Sequence, residues 1–406
     1  MLRLSRSSEY NHTMVILADK LREQILKKRV TLLGVGPMSR TVTDAAVKLA
    51  NVYRFPIALI PSRRQVDASE FGGGYVESWT TETFSKYVRS IDRGGFALLS
   101  RDHSGPWQGL PTTANSESDP TLPIAMQEVQ DSLGHDIDCG FDFLHIDPSL
   151  ALSRGFSESD VDDMVIELIA YCVSRMKNSD QCIFEIGTDE QDAAPDPLHV
   201  SRQRLERIIG KLKHYHLPLP LFYVVQTGTK VAETRNVGSF DQPLTVRGSL
   251  PATVHIPAVL QMCLENNVLL KEHNADYLSD EALRWHRKFG IHAANVAPEF
   301  GVTETRSLMG CMTDLSMISE AEEFKKIVLE GRRWEKWLLG KSNATDELKV
   351  EIAGHYHFAD PKVREIRDRI QLAAKAAGYE SEERISSDVS AAIDRYLKKF
   401  GYVGHR

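Results

Sequence analysis

The sequence predicts an α/β protein, a (β/α)8 TIM barrel with a C-terminal helical appendage, and three observations predict it. Eight short apolar runs alternate with longer segments of helical period. The runs are unbroken, as strands buried on both faces of a parallel sheet must be. Chemically capable polar residues follow directly on run after run, where a barrel carries its active-site loops. A chain of 406 residues holds one barrel of about 250 residues and an extension.

The strands are expected at Val30–Gly34, Pro56–Pro61, Gly95–Ser100, Phe141–Ile146, Cys182–Ile186, Pro220–Val225, Asn267–Lys271 and Gly290–Asn295. Helices are expected at Thr41–Val52, Thr81–Ile91, Thr121–Leu133, Ser157–Lys177, Val200–His214, Ala252–Glu265 and Ser279–Lys288. Ser157 and Ser279, each followed by acidic residues, read as helix caps. An open doubly wound sheet is the rival architecture. It gains little from the first strand, which runs into Gly34-Val35-Gly36-Pro37-Met38-Ser39-Arg40 rather than a dinucleotide-type GxGxxG.

From about Gly310 the texture changes. Segments Ser319–Leu339, Asp346–Ala353, Pro361–Ala377 and Ile385–Phe400 are charged and helical in period. The division expected is a barrel domain of residues 1–309 and a helical extension of residues 310–406. Trp334 and Trp337 fall at i, i+3 on one face of the first of these helices and should pack on the barrel.

The chain carries 49 Lys and Arg against 56 Asp and Glu, a net charge of −7, which argues against nucleic acid as its partner. No apolar stretch is long enough to span a membrane, and the N-terminal stretch lacks the apolar core of a signal peptide. Five scattered cysteines without CxxC fit a thiol-reducing cytoplasm and read as small buried apolar residues.

Two histidines stand out among the residues after the strands: His103 after the third and His273 after the seventh. Barrel closure brings such ends to one mouth, beside carboxylates from the fourth and fifth strands. A divalent transition metal takes imidazole nitrogen and carboxylate oxygen and keeps a position open for substrate. His103, Glu185 and His273 make such a set, and Gln226 adds an amide oxygen; Zn2+, or else Mn2+ or Co2+, is the expected ion. Asp102, next to His103, is the first candidate for moving protons, and Asp147 the second. Asp189 and Glu190, on the loop after the fifth strand, are candidates for a mobile base.

Gly73 and Gly74 lie in a glycine run that permits close approach of backbone N–H groups to an anion or hydroxyl. Ser149, Arg154 and Asn295 complete the expected substrate-binding set, and Lys230, Arg235 and Arg306 lie near the same mouth. His145, His255, His286 and His292 read as structural or surface residues. His214 and His216 precede the sixth strand, at the wrong end for catalysis. His355 and His357 are spaced to share one face of a strand in the appendage.

Six motifs occur in order: Gly72-Gly73-Gly74-Tyr75, Asp102-His103-Ser104-Gly105-Pro106, Leu144-His145-Ile146-Asp147-Pro148-Ser149, Glu185-Ile186-Gly187-Thr188-Asp189, Val224-Val225-Gln226-Thr227-Gly228 and Glu272-His273-Asn274-Ala275-Asp276-Tyr277. Together they resemble the family of the tagatose-bisphosphate aldolase accessory (non-catalytic) subunit, once described as tagatose-6-phosphate kinase. That family is similar to the zinc-dependent class II fructose/tagatose-bisphosphate aldolases. The resemblance spans residues 30–310 and implies a zinc-type site. In it His103 and His273 are metal ligands, Asp102 the catalytic acid, Glu185 a carboxylate that can hold metal, Glu190 a mobile base and Asp147 the aspartate of the fourth strand. The sequence departs from the aldolases at Gln226, where they carry a third metal histidine. It departs again after the seventh and eighth strands, where their glycine-rich phosphate loops are missing. A kinase-type phosphate loop is not present either.

The resemblance implies a metal-dependent enzyme that cleaves, condenses or epimerises a ketose or ketose phosphate through an enediolate. Its alternative is a non-catalytic subunit that stabilises a partner aldolase. An oligomer is expected in both cases.

Overall fold

Eight parallel strands close on themselves. They are β1 (Leu32–Val35), β2 (Ile57–Leu59), β3 (Ala97–Ser104), β4 (Phe143–Ile146), β5 (Ile183–Gly187), β6 (Phe222–Val224), β7 (Leu269–Glu272) and β8 (Ala293–Val296). Each pairs with its sequence neighbour, and β1 pairs with β8 from Leu32↔Ala293 to Val35↔Val296. The structure is a computed structural model and describes residues 7–109, 120–177, 181–187, 197–240 and 252–403. The barrel and helical extension are those the sequence predicts.

Every residue of β1, β4, β7 and β8 is buried. The reason is position: the strands face side chains inside the barrel and helices outside it. The helices between them are α2 (Arg40–Tyr53), α3 (Thr81–Ile91), α4 (Leu122–Asp138), α5 (Glu158–Arg175), α6 (Leu198–His214), α7 (Ala252–Glu265) and α8 (Asp280–Phe289), with α1 (Ser7–Lys28) before the barrel. The expected caps are present. Ser157 and Asp160 form a reciprocal capping box, and the Ser279 hydroxyl accepts from Ala282 N at 3.1 Å.

The chain leaves β8 directly into α9 (Pro298–Asp314), then forms α10 (Ile318–Gly331), α11 (Asp346–Ala353), α12 (Pro361–Ala376) and α13 (Ser381–Phe400). The last of these belongs to the barrel wall. α13 packs on α2, α8 and α9, and Val389, Ile393, Leu397 and Phe400 join the main core. Beyond it, the Tyr402 hydroxyl accepts from Leu33 N at 3.1 Å and donates to Pro56 O at 2.7 Å, tying the chain's end to the start of the barrel. A second apolar cluster around Phe324, Ile366 and Ile385 holds α9 to α13 together.

Two expectations for the appendage are corrected. Trp334 and Trp337 do not share a helix face, because Arg332 takes the left-handed conformation at φ 52° and ends α10. Trp337 instead lies in a short 3-10 turn, where its indole N–H donates to Tyr356 Oη at 3.1 Å. His355 and His357 are likewise in a 3-10 turn, not a strand. Among the described residues no helix is long and apolar enough to cross a membrane.

One buried ion pair braces the barrel beneath β3. Arg101 is fully buried and holds Asp136 of α4 through two nitrogens at 2.7 and 2.6 Å, while its third nitrogen donates to Val66 O at 2.6 Å. Removing one member of such a pair strands the other charge. Asp136→Asn should lower unfolding free energy by about 3–5 kcal/mol, read by chemical denaturation. A second carboxyl has the opposite character. Asp276, 1% exposed, accepts from Ala297 N and Glu299 N and so caps α9. Burial, with neighbouring Glu299 adding to it, pushes its carboxyl up to about 8. The folded state therefore keeps a proton there that the unfolded chain gives up, and stability should fall as pH rises from about 4 to about 8. Asp276→Asn keeps the cap and should flatten that part of the pH–stability curve.

Candidate functional site

The site begins with a distortion of β3. Consecutive residues of a regular strand point to opposite faces, so Asp102 and His103 should diverge. They do not. The register of β3 on β4 shifts between Arg101 and Ser104, and His103 sits at φ 50°, in the left-handed region. This bulge turns both side chains toward the mouth of the barrel. It also extends β3 through Ser104, beyond the Ser100 end expected from sequence. The strain is held by two bonds: His103 N donates to His145 Nδ1 at 3.3 Å, and His103 Nδ1 lies 2.7 Å from Asp147 Oδ2.

Three imidazoles surround Asp102. His145 Nδ1 and His273 Nε2 stand 3.4 and 3.7 Å from Oδ1, and His103 Nε2 stands 3.7 Å from Oδ2. The rings are mutual neighbours, with centroids 4.9–5.3 Å apart. β8 adds Asn295, whose Nδ2 lies 3.4 Å from Asp102 Oδ1. That placement needs glycine on β1: a Cβ on Gly34 would fall 2.2 Å from Asn295 Oδ1.

Hydrogen bonding places one proton of His145. Its Nε2 lies 2.8 Å from Gly187 O, which can only accept, so Nε2 carries a proton. Its Nδ1 lies 3.3 Å from His103 N and 3.4 Å from Asp102 Oδ1. Burial alone would raise the Asp102 carboxyl, but the three histidines hold it well below the usual carboxylate range. Burial lowers His273 well below an ordinary histidine, Asp102 opposing and His103, His145 and Lys271 assisting. Burial is the largest single influence on Asp147 and would raise it, but the bond and charge of His103, with His145 and Ser149 assisting, together bring it down to about 2.

The donor set suits a divalent ion. One atom each from Asp102, His103 and His273 falls within 4.8 Å of the others. Ligands about 2.0–2.2 Å from a common ion stand roughly 3–4 Å apart, and His103 Nε2 and His273 Nε2 each stand 3.7 Å from a carboxylate oxygen of Asp102. His273 is 4% exposed, and its Nε2 has no hydrogen-bond partner among the described residues. The carboxylate behind His103 is the usual support of a metal-binding imidazole.

The remaining expected residues divide. Asp147 stands behind His103, and Ser149 N in turn donates to Asp147 Oδ1 at 3.1 Å. Glu185 is not a member of the group formed by Asp102, His103 and His273. Glu185, on β5, is locked inside the barrel by Lys271 of β7 at 2.6 Å, a counter-charge its deep burial demands. The Gln226 amide oxygen accepts from Gly228 N and Thr229 N at 2.7 and 3.1 Å, so it caps its own loop. The N–H groups of Gly73 and Gly74 are also spent within their loop, on Ala68 O and Trp79 O. Gly74 is glycine because a Cβ would meet Gln65 O at 1.9 Å. Arg154 lies over the Trp107 ring at 4.6 Å. Asp189 and Glu190 lie outside the described residues.

His145 is the residue that the sequence reading set aside. One signal marks it: it stands two residues before Asp147, the spacing at which an extended chain turns two side chains to the same side.

No family model and no curated sequence matches this chain. Solved structures do. A probable tagatose 6 phosphate kinase from Sinorhizobium meliloti 1021 superposes with a TM-score of 0.71 at 17% identity, over 91% of this chain and 100% of its own. A fructose-bisphosphate aldolase from Campylobacter jejuni gives 0.53 at 10% identity, over 95% and 96%. A fructuronate-tagaturonate epimerase from Cohnella laeviribosi gives 0.53 at 10% identity, over 93% and 84%. At these identities the likeness is one of fold, the (β/α)8 barrel.

Proposed function

We propose that this chain is a divalent-metal-dependent enzyme of the class II aldolase type, acting on a sugar or sugar phosphate. The observation that carries the reading is the meeting of Asp102, His103 and His273 at the carboxyl ends of β3 and β7, with a buried, unpartnered His273 Nε2. His103 and His273 would hold the ion, Zn2+ or else Mn2+ or Co2+. A bound ion of this kind supplies Lewis acidity toward a carbonyl oxygen, a need that aldol cleavage and ketose epimerisation share.

The chain's own residues do the rest. Asp102, kept ionised by its surroundings, takes a proton from the substrate hydroxyl or carbon and returns it to the enediolate. Asp147 holds the His103 ring in one orientation. Asn295 offers an amide N–H beside Asp102 to a substrate oxygen. Glu190 is the second proton carrier of this reading. A cytoplasmic location and assembly into an oligomer belong to it as well. The aldolase and the epimerase among the fold neighbours support the reaction class.

One observation favours a second reading, a non-catalytic accessory subunit that stabilises a tagatose-bisphosphate aldolase. Glu185 and Gln226 are tied to Lys271 and to the Gln226 loop, which narrows the donor set.

Purified protein should carry about one ion per chain by elemental analysis, and His103→Ala or His273→Ala should abolish it with the circular dichroism unchanged. Full metal content in both variants ends the proposal. Asp102→Asn should keep the ion and lower kcat on ketoses or ketose phosphates by about 10²–10⁴; loss of the ion instead makes Asp102 a ligand and removes its proton role. Turnover by the protein alone supports the enzyme. Silence alone, with turnover only when a partner aldolase is added, supports the accessory subunit.

A further inference from the structure

The loop after β2 meets the appendage through two tyrosines. The rings of Tyr75 and Tyr356 stand 5.0 Å apart. Cations gather around them. The Arg333 guanidinium lies 5.6 Å from the Tyr75 ring and 5.7 Å from the Tyr356 ring, and Lys336 Nζ lies 5.3 Å from the latter. Arg64, on the β2 loop, interacts with both tyrosines and is partly buried.

Neighbouring arginines have carboxylate partners: Arg332 pairs with Glu335, and Arg306 with Glu351. Among the described residues, Arg64, Arg333 and Lys336 have none. A partly buried guanidinium without a carboxylate is costly unless another anion meets it.

Buried donors point to the same place. His355 is 2% exposed and stacks on Tyr356 at 4.2 Å, yet neither ring nitrogen has a partner among the described residues. A neutral imidazole always carries one N–H, so a donor is left over. The Tyr277 hydroxyl is buried and without a hydrogen-bond partner among the described residues too, and Tyr277 interacts with Tyr356. Tyr356 Oη accepts from Trp337, which leaves its own O–H to give elsewhere. Positive charges without carboxylates, beside O–H and N–H donors without acceptors, describe a receptor for an anion.

We propose that the β2 loop and the appendage form an anion-binding subsite for a phosphate or carboxylate group, built from Arg64, Arg333 and Lys336 with the hydroxyls of Tyr75, Tyr277 and Tyr356. It is linked to the ion site through two loops. Ser62, two residues before Arg64, pairs with Asp102, and Tyr277 follows His273 by four residues. The anion is therefore assigned to the far end of the sugar substrate. That assignment rests on the metal-site reading above; the subsite itself does not. It gives an anionic sugar the anchor that the loops after β7 and β8, without glycine-rich phosphate motifs, do not supply.

The test is calorimetric titration of the metal-stripped full chain with inorganic phosphate and, separately, with glycolate. It is repeated on His103→Ala, in which phosphate has no ion to ligate. Saturable binding is expected in both proteins, and Arg64→Gln, Arg333→Gln and Lys336→Gln should each weaken it about fivefold to tenfold. Arg333 and Lys336 are exposed, so these two variants keep the fold. Tighter binding of phosphate identifies a sugar phosphate, and tighter binding of glycolate a sugar acid; either supports the subsite. No saturable binding of either anion, or unchanged affinity in all three variants, overturns it. Anion binding that survives in a protein without metal affinity leaves the subsite standing while the metal reading fails.

Discussion

Leu32, Leu33, Gly34 and Val35 pair in parallel with Ala293, Ala294, Asn295 and Val296, and this seam turns a ribbon of strands into a closed wall. Closure is what gives the other residues their neighbours. Asp102 and His273 are far apart in sequence and on strands that share no edge, yet they meet across the mouth. The seam itself has a chemical consequence, because Gly34 lacks the side chain that would displace Asn295 from beside Asp102. The end of the chain reinforces it: Tyr402 bonds to Leu33 on the same strand, and α13 covers α2 and α8 on either side.

Within that wall, His103 carries the local cost. A non-glycine residue in the left-handed region costs about 1–3 kcal/mol. A charge-assisted hydrogen bond such as that to Asp147 returns about 1.5–3 kcal/mol, and the bond from its N–H to His145 returns about 0.5–1.5. The balance is close to even. The distortion is therefore stable only while Asp147 and His145 are in place, and the three residues act as one unit that aims Asp102 and His103 together.

The interior below this unit is charged for a different reason. Glu185 and Lys271 face each other across β6, both nearly dry, and Arg101 and Asp136 pair on the outer side of β3. In each pair opposite charges meet at hydrogen-bond distance. Asp102, His103 and His273 are different: a carboxylate sits among three imidazoles, and the buried His273 Nε2 has no hydrogen-bond partner among the described residues. That contrast sets the closed charge pairs apart from an open cluster.

The sequence by itself determined the architecture. Eight unbroken apolar runs with helical segments between them permit few other arrangements, and all eight strands fall on those runs. It also marked Asp102, His103 and His273 as polar residues at strand ends, legible one strand at a time, and the structure brings these three together. Other roles depended on neighbours far along the chain. Glu185 finds Lys271 across the barrel, and the Gln226 amide oxygen finds the N–H groups of its own loop. His145 passes for a core residue until the bulge at His103 brings a backbone N–H to its ring. The helix that ends at Gly331 instead of carrying Trp334 and Trp337 onward is a local matter of backbone sign at Arg332 that side-chain period does not encode. Periodicity records which side of an element is dry; only the closed tertiary structure decides which polar groups on that side find partners, because pairing is a matter of distance in space.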